Sequence, residues 1–364
     1  MDYFENAVQL SSEWVLAIYF AARARQHIEP EKKLAYLKRA ITIDSLFLPT
    51  YVNLGWFFLP KPESNHWFEV YVKKMDQYVR EHPGHVPVTY YNYLGNSLWL
   101  LGKLEEAERA LLRGAELSNH QHPLIYANLG MVYRDMGRYD DAEKAYQKLV
   151  SLAPLSFEGY TGYAALKHYF QKKPVEAIPY YQKAIQYGYD VYEDLLLLYL
   201  HTNQLDSAEA LAHQFVAAFP EDCRPRQRLG QVYLHKGMKE QAREQFEKMI
   251  ALQPNGDDYY AYFPIIAFTQ LGKTDSLPAL LETERLKAGD HPLFYYMAAC
   301  GFAFNGQNDL ALQWLEKAFQ KGWACFLPKC RSWYSLESPE LYYLRQTPEY
   351  QVLVKKYFPD QFKD

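Results

Sequence analysis

The chain has 364 residues, of which 49% are hydrophobic and 23% are charged, a composition that is typical of a folded protein and excludes intrinsic disorder. Its formal net charge of −4 supplies no basic excess to neutralise phosphates, so we expect no nucleic-acid partner. No apolar run is long enough to cross a bilayer as a helix, so we expect no membrane partner.

The first predicted element is a helix over the apolar run from Trp14 to Ala22. Asp2 and Glu5 precede this run where a secretory signal would carry basic residues, so a signal peptide is disfavoured. The cysteines form no Cys-x-x-Cys pair, which favours a cytoplasmic location. They are Cys223, Cys300, Cys325 and Cys330.

A pattern of apolar, small and turn-forming residues recurs along the chain. Its clearest copy consists of Tyr126, Leu129, Gly130, Tyr133, Gly137, Ala142, Tyr146 and Pro154. A second copy consists of Arg226, Leu229, Gly230, Tyr233, Gly237, Ala242, Phe246 and Pro254. A third consists of Tyr192, Leu195, Leu196, Tyr199, Ala208, Ala212 and Pro220. In residue types and spacing, these copies resemble the tetratricopeptide repeat, a two-helix unit of about 34 residues.

The spacing within the clearest copy has a physical cause. Leu129, Gly130 and Tyr133 lie three and four residues apart and share one helix face. Gly130 and Ala142 are small enough for two helices to approach closely, and Tyr146 is predicted to fill the remaining space. Each hairpin then exposes an apolar edge that only the next hairpin buries.

The resemblance implies an all-α fold, namely a right-handed α-solenoid superhelix of about nine hairpins with C-terminal capping helices. The predicted repeats begin near Trp14, Leu48, Val88, Pro123, Phe157, Tyr189, Cys223, Asp258 and Pro292. We expect residues 1–322 to form the solenoid. Residues 323–364 are expected to add an irregular segment and the capping helices to the same structural unit.

Several residues predict local departures from the regular repeat. Residues 61–65 are predicted to form a polar loop that lengthens the second repeat. Pro179 and Pro264 fall inside predicted helices and are expected to kink them. Asp140, with Glu143 three residues later, is predicted to cap the second helix of the fourth hairpin.

The two ends of the chain carry a more specific resemblance. The opening motif consists of Ala40, Ile41, Ile43, Asp44, Pro49, Tyr51, Leu54 and Gly55, and the closing motif of Leu344, Arg345, Pro348, Glu349, Tyr350 and Leu353. Both are similar to the tetratricopeptide regions of bacterial adenylate cyclases, Ser/Thr kinases and winged-helix regulators. Capping helices are predicted to begin at Ser338 and at Thr347.

The sequence offers no recognisable catalytic motif. Residues 272–274 read Gly-Lys-Thr, but Ala267 stands where a phosphate-binding loop needs glycine. Two histidine pairs, at 82 and 85 and at 120 and 122, have no further zinc ligands nearby in the sequence. We therefore expect no catalytic residue, metal or cofactor, and predict that the chain is not an enzyme.

In the tetratricopeptide family, the first helices of successive hairpins line a concave groove that holds a protein or peptide partner. The groove residues that the resemblance implies are Asn92, Asn96, Trp99, Asn128, Met131, Arg134, Glu193, Asp194, Arg224, Arg228, Gln231, Tyr262 and Tyr296. Asparagine both donates and accepts hydrogen bonds, which suits an extended peptide backbone, and aromatic residues and arginine are frequent binding hot spots. A homo-oligomer remains open.

Some family members bind C-terminal carboxylates with a clamp of Lys, Asn and Arg. Asn96 and Asn128 stand at the two Asn positions, but Glu158 and Gly162 occupy the cationic positions and Asn92 replaces the first Lys. A carboxylate would find no compensating charge there, so we predict no such clamp.

Two alternative functions remain open at this point. Related helical repeats bind RNA, but such a groove should be basic, whereas Glu193 and Asp194 fall in the middle of this one. An enzyme site in the C-terminal segment, around residues 323–334, is the other alternative.

Overall fold

The computed structural model describes residues 15–24, 30–59, 63–252, 262–287, 292–321, 341, 344, 347–357 and 359. The chain divides into two compact units, residues 1–166 and residues 167–364. Within the described ranges all regular structure is helical and no strand occurs.

In the first unit the helices pair as antiparallel neighbours. The pairs are α1 (Val15–Ala24) with α2 (Pro30–Ile43), α3 (Pro49–Phe58) with α4 (Glu63–Glu81), α5 (Val88–Leu100) with α6 (Leu104–Leu117), and α7 (Pro123–Asp135) with α8 (Tyr139–Leu152), followed by α9 (Phe157–Ala165). The buried core runs from pair to pair, since Leu111 of α6, Leu129 of α7 and Ala145 of α8 belong to one cluster.

The second unit repeats this arrangement. Its helices are α10 (Pro174–Gln186), α11 (Tyr192–His201) with α12 (Leu205–Ala218), α13 (Cys223–His235) with α14 (Lys239–Leu252), α15 (Tyr262–Gln270) with α16 (Leu277–Lys287), α17 (Pro292–Phe304) with α18 (Asn308–Gln320), and α19 (Pro348–Tyr357). In both units the first helix of a hairpin also packs on the first helix of the next hairpin. This stacking confirms the predicted all-α solenoid fold.

Glycines end the first helices as the sequence predicts. Gly137 has φ of +74°, a left-handed conformation that glycine adopts without a Cβ penalty. The next amide, that of Arg138, turns back and donates to the carbonyl of Tyr133 at 2.8 Å. Gly102 plays the same part after α5, and Asn203 takes the left-handed conformation after α11. These tight turns set the antiparallel pairing within each hairpin.

Two local predictions are wrong. Asp140 is not an N-cap, because α8 begins at Tyr139 and Asp140 lies in its first turn, where a carboxylate still favours the helix dipole. Residues 63–65 are helical rather than a loop, since α4 begins at Glu63. Pro179 lies inside α10, as predicted, and the kink expected there stays a prediction. The residues before α10, Leu166–Phe170, form a π-helix that follows directly from α9.

Pro264 is the third residue of α15. Residues 253–261, directly before the described part of α15, lie outside the described residues, so the kink expected at Pro264 stays a prediction.

A capping helix forms where Thr347 predicts one. Thr347 Oγ1 accepts a hydrogen bond from the amide of Tyr350 at 3.3 Å, and α19 begins at Pro348. It packs on α18 through Lys356 Nζ, which lies 2.6 Å from Glu316 Oε1. The helix predicted at Ser338 and the irregular segment 323–334 lie outside the described residues.

Candidate partner-binding surface

The six predicted groove residues of the first unit lie on two adjacent first helices. Asn92, Asn96 and Trp99 lie on one face of α5, and Asn128, Met131 and Arg134 lie on one face of α7. Because α5 and α7 pack side by side, the two faces form one continuous patch, which we call the asparagine face.

Hydrogen bonds between asparagines connect the two helices of this face. Asn128 Nδ2 donates to Asn92 Oδ1 at 2.9 Å, and Asn96 Nδ2 donates to Asn128 Oδ1 at 3.4 Å. Asn92 is buried, whereas Asn96 and Asn128 are half-buried. Asn96 Oδ1 has no hydrogen-bond partner. The chain of amides therefore ends in an acceptor that protein atoms leave unsatisfied.

A second polar link joins α5 to α7 one turn further along. Trp99 Nε1 donates to Asp135 Oδ2 at 2.7 Å, and Arg134 Nε donates to Asp135 Oδ1 at 2.9 Å. Trp99 and Arg134 are only 4% and 8% exposed, so they hold the face together more than they present it to a partner. The sequence prediction missed Asp135. A carboxylate at a helix C-terminus opposes the helix dipole, and that unfavourable position was the signal of a specific partner.

In the second unit, the predicted acidic and basic residues pair with each other. Arg228 Nε of α13 lies 2.7 Å from Glu193 Oε1 of α11, and Arg228 Nη1 donates to Gln231 Oε1 at 3.1 Å. Arg228 is buried, with 4% of its surface exposed. The charges thus bridge neighbouring first helices, as the asparagines do in the first unit.

Arg224 is the centre of a wider cluster of carboxylates. Its guanidinium lies 3.0 Å from Asp190, 2.7 Å from Asp222 and 3.8 Å from Glu193. Asp222 also caps α13 by accepting from the amide of Arg224 at 2.8 Å. Sequence reasoning missed Asp190 and Asp222, although an aspartate directly before a helix is a common capping signal.

The pKa of Asp194, which lies in this cluster, is unusually high. Burial and the neighbouring Glu193 raise its pKa from 3.8 to about 7, although Arg228 acts in the opposite direction. The Asp194 carboxyl therefore takes up a proton near neutral pH. We call Asp190, Glu193, Asp194, Arg224 and Arg228 the charged face.

The remaining predicted groove residues contribute less. Met131 is partly buried against the apolar core, and Tyr296 is 4% exposed. The side chain of Tyr262 lies outside the described residues. A link that the prediction missed lies nearby, where Gln270 Nε2 of α15 donates to Asn305 Oδ1 at 2.6 Å.

Within the described ranges, no group of three or more His, Cys, Asp or Glu residues is placed to hold a metal ion. Cys325 and Cys330 lie outside those ranges. None of the described helices is both long enough and apolar enough to span a bilayer.

Comparisons with known proteins agree with the repeat architecture. Three tetratricopeptide-repeat family models match residues 85–155, 128–191 and 224–255. The chain therefore contains tetratricopeptide repeats within residues 85–191 and 224–255. No curated protein matches its sequence.

Solved structures that resemble part of the chain include the following three. One is a tetratricopeptide repeat protein from Parabacteroides merdae, with 16% identity over 72% of this chain and 98% of that chain and a TM-score of 0.42. Another is pilF from Pseudomonas aeruginosa, with 19% identity over 57% and 93% and a TM-score of 0.43. The third is YrrB, described as having an unusual peptide-binding site, with 21% identity over 55% and 97% and a TM-score of 0.35.

Proposed function

We propose that this chain is a non-enzymatic scaffold that binds an extended segment of a partner protein on the first helices of its hairpins. Tetratricopeptide-repeat proteins as a class bind protein or peptide partners, and stacked repeats create long surfaces suited to that task. The partner would bind on the asparagine face of the first unit, and the charged face of the second unit is a separate candidate surface.

The asparagine face is the observation that carries the proposal. An extended peptide presents one donor and one acceptor per residue, and each asparagine amide offers both. Asn96 and Asn128 are half-buried, so a bound backbone contacts them without unfolding either helix. Asn96 Oδ1 is itself buried, so a bound backbone would be contacted by the exposed parts of the two amides.

The charged face would add selectivity by charge. Arg224 and Arg228 are already paired with carboxylates. A partner whose charges match this arrangement would bind, and a partner whose charges oppose it would be repelled. The same carboxylates would repel a phosphate backbone, which makes RNA binding the weaker alternative. The proposed enzyme site around residues 323–334 lies outside the described residues.

Two finer parts of the proposal, a signalling role and a cytoplasmic location, rest on the sequence. The opening and closing motifs are similar to those of bacterial signalling proteins, and a role as the regulatory or sensory part of such a system rests on that similarity. A cytoplasmic location rests on cysteine usage.

A peptide library displayed on phage and selected against the 364-residue chain tests the proposal. Recovered peptides are titrated against wild type, against Asn96→Ala/Asn128→Ala, and against the matched variant Arg113→Ala/Glu116→Ala. The matched pair is exposed on α6, a second helix. We expect the asparagine variant alone to weaken binding, by about tenfold or more, since hydrogen bonds to the backbone are lost.

Two results would contradict this role. One is equal weakening by the matched variant, which would place the contact on the second helices. The other is unchanged binding in Asn96→Ala/Asn128→Ala while circular dichroism shows that the variant is folded.

A further inference from the structure

A separate surface of the second unit lies where α19 packs on α18. A groove with a volume of about 460 Å³ runs between these two helices. Its apolar lining comes from Leu312 of α18 and from Pro348, Val352 and Leu353 of α19. No residue of the asparagine face or of the charged face belongs to this lining, so the groove is distinct from both.

Val352 is strongly exposed at the rim of this groove. Of its surface, 68% is accessible to solvent, whereas Tyr350 and Val354 of the same helix are each 6% exposed. Leu312 and Leu353 are half-buried beside it. One side of α19 is therefore buried and another presents an apolar side chain to water, which a partner would stabilise by covering it.

Two charges of opposite sign flank Val352 at equal distances along α19. Glu349 lies three residues before it and Lys355 three residues after it, so the three side chains follow one row on the helix surface. Both charged residues are exposed, and within the described part of the chain neither has an ion-pair partner. Lys356, by contrast, already pairs with Glu316 of α18 at 2.6 Å.

This row is complementary to itself when it is turned end to end. If a second α19 runs antiparallel to the first about a two-fold axis at Val352, the two valines meet. Glu349 of each copy then faces Lys355 of the other, so one apolar contact is flanked by two ion pairs. The antiparallel arrangement also places opposite ends of the two helix dipoles side by side.

We propose that a second copy of this chain docks at this groove, with the two α19 helices antiparallel and Val352 of one copy on Val352 of the other. This inference is independent of the function proposed for the first helices. A ten-residue helix is about 15 Å long, so the contact is small. We therefore expect a weak dimer, with a dissociation constant on the order of tens of micromolar.

Sedimentation velocity of the whole 364-residue chain at low salt measures this association. Wild type should change from monomer to dimer between about 1 µM and about 0.5 mM. Val352→Glu should weaken the dimer by about tenfold or more, because it places two carboxylates together on the two-fold axis. The matched control is Leu286→Glu, on α16 outside the groove. Leu286 is 67% exposed, and this variant should leave the affinity within about twofold.

Reversal of the two charges tests the antiparallel orientation. Glu349→Lys alone and Lys355→Glu alone each turn both expected ion pairs into repulsions, so each should weaken self-association by about tenfold at low salt. An equimolar mixture of the two variants should associate again, to within about threefold of wild type, because every lysine of the row then faces a glutamate in the mixed dimer. This recovery needs no additional substitution, so it also shows that both variants are folded.

Four outcomes would overturn the proposal. They are a wild-type chain that stays monomeric over the whole concentration range, a dimer that Val352→Glu leaves unchanged, an equal loss in Leu286→Glu, and a mixture that associates no better than its two components. If a charge variant fails to fold, the wild-type concentration series and the comparison of Val352→Glu with Leu286→Glu still decide the outcome. If Val352→Glu itself fails to fold, Val352→Ser takes its place, with a smaller expected loss.

Discussion

The ring of Tyr146 lies directly against the backbone of Gly130. A Cβ atom placed on Gly130 would stand 2.5 Å from Tyr146 Cε1 and 2.6 Å from Cζ, far inside contact distance. Tyr146 belongs to α8 and Gly130 to α7, so this contact fixes how closely the two helices of the fourth hairpin approach. A Cβ atom placed on Gly162 of α9 would likewise stand 2.5 Å from Tyr146 Cε1.

Gly130→Ala should therefore destabilise the protein by about 1–3 kcal/mol, the usual cost of overpacking a tight contact. Urea unfolding would measure the change. Tyr146→Leu in the same chain should recover part of the loss, because the two substitutions act on one contact. Simple addition of the two single losses would show that the ring and the glycine do not compete for space.

Asp135→Ala should cost about 2–4 kcal/mol, because it removes the carboxylate that pairs with buried Arg134 and accepts from Trp99. The matched control is Asp141→Ala, which breaks an aspartate–arginine contact of the same 2.9 Å length to Arg138 at an exposed position. Exposed pairs contribute little, so the control should cost less than about 1 kcal/mol. Similar losses for the two variants in chemical denaturation would contradict the assigned burial.

Asp194→Asn should stabilise the protein at alkaline pH. The pKa of Asp194 is raised from 3.8 to about 7, so between these values the folded state holds a proton that the unfolded chain releases. The stability from this group is present at low pH and is lost as pH rises towards and above 7. Asparagine removes this loss, so the variant should be more stable than wild type by about 1 kcal/mol or more at pH 8.

The difference between Asp194→Asn and wild type should shrink towards pH 5. Denaturant midpoints measured from pH 5 to 8 would show it. A variant that is less stable than wild type at pH 8 would mean that the charged form of Asp194 is the stabilising one.

His168 should make the protein sensitive to acid. Burial, with nearby His201 and Lys172, lowers the pKa of His168 from 6.5 to about 4. Below pH 6.5 the unfolded chain therefore binds a proton that the folded state resists, and stability falls as pH drops towards 4. The shift corresponds to at most about 3 kcal/mol.

His168→Phe keeps a planar ring beside Tyr169, with which His168 stacks at 4.0 Å, and removes the titrating group. Its free energy of unfolding should change less than that of wild type between pH 7 and 4.5. Parallel pH profiles for the two proteins would show that His168 does not contribute to the acid sensitivity.

The repeat pattern predicted the fold because packing within a hairpin is local. Gly130 and Tyr146 lie 16 residues apart in the sequence, and their sizes are complementary in any chain that forms this hairpin. The exact ends of the helices were harder to predict from the sequence. Asp140 has the residue type of a cap but lies one residue inside α8, because the tight turn at Gly137 already directs the chain into the helix.

The sequence predicted which positions belong to the candidate surface, but not how their side chains pair. Family resemblance placed Asn96 and Asn128 on neighbouring first helices, where the structure finds them hydrogen-bonded. It did not indicate that Arg228 is almost fully buried or that Asp135 joins Trp99 to Arg134, since these depend on how neighbouring repeats are rotated. Pairing between side chains more than 30 residues apart is not encoded in the spacing of one repeat.

The π-helix, Leu166–Phe170, makes the chain directly after α9 tolerant of the loss of one residue. A π-turn closes its hydrogen bonds over one residue more than an α-turn does, so it stores a single surplus residue within the helix. Removal of one residue there would let the backbone relax to ordinary α-helical winding, whereas the same deletion inside α7 would rotate every following side chain away from its partner. Gene variants shortened by one codon should therefore be tolerated in this stretch.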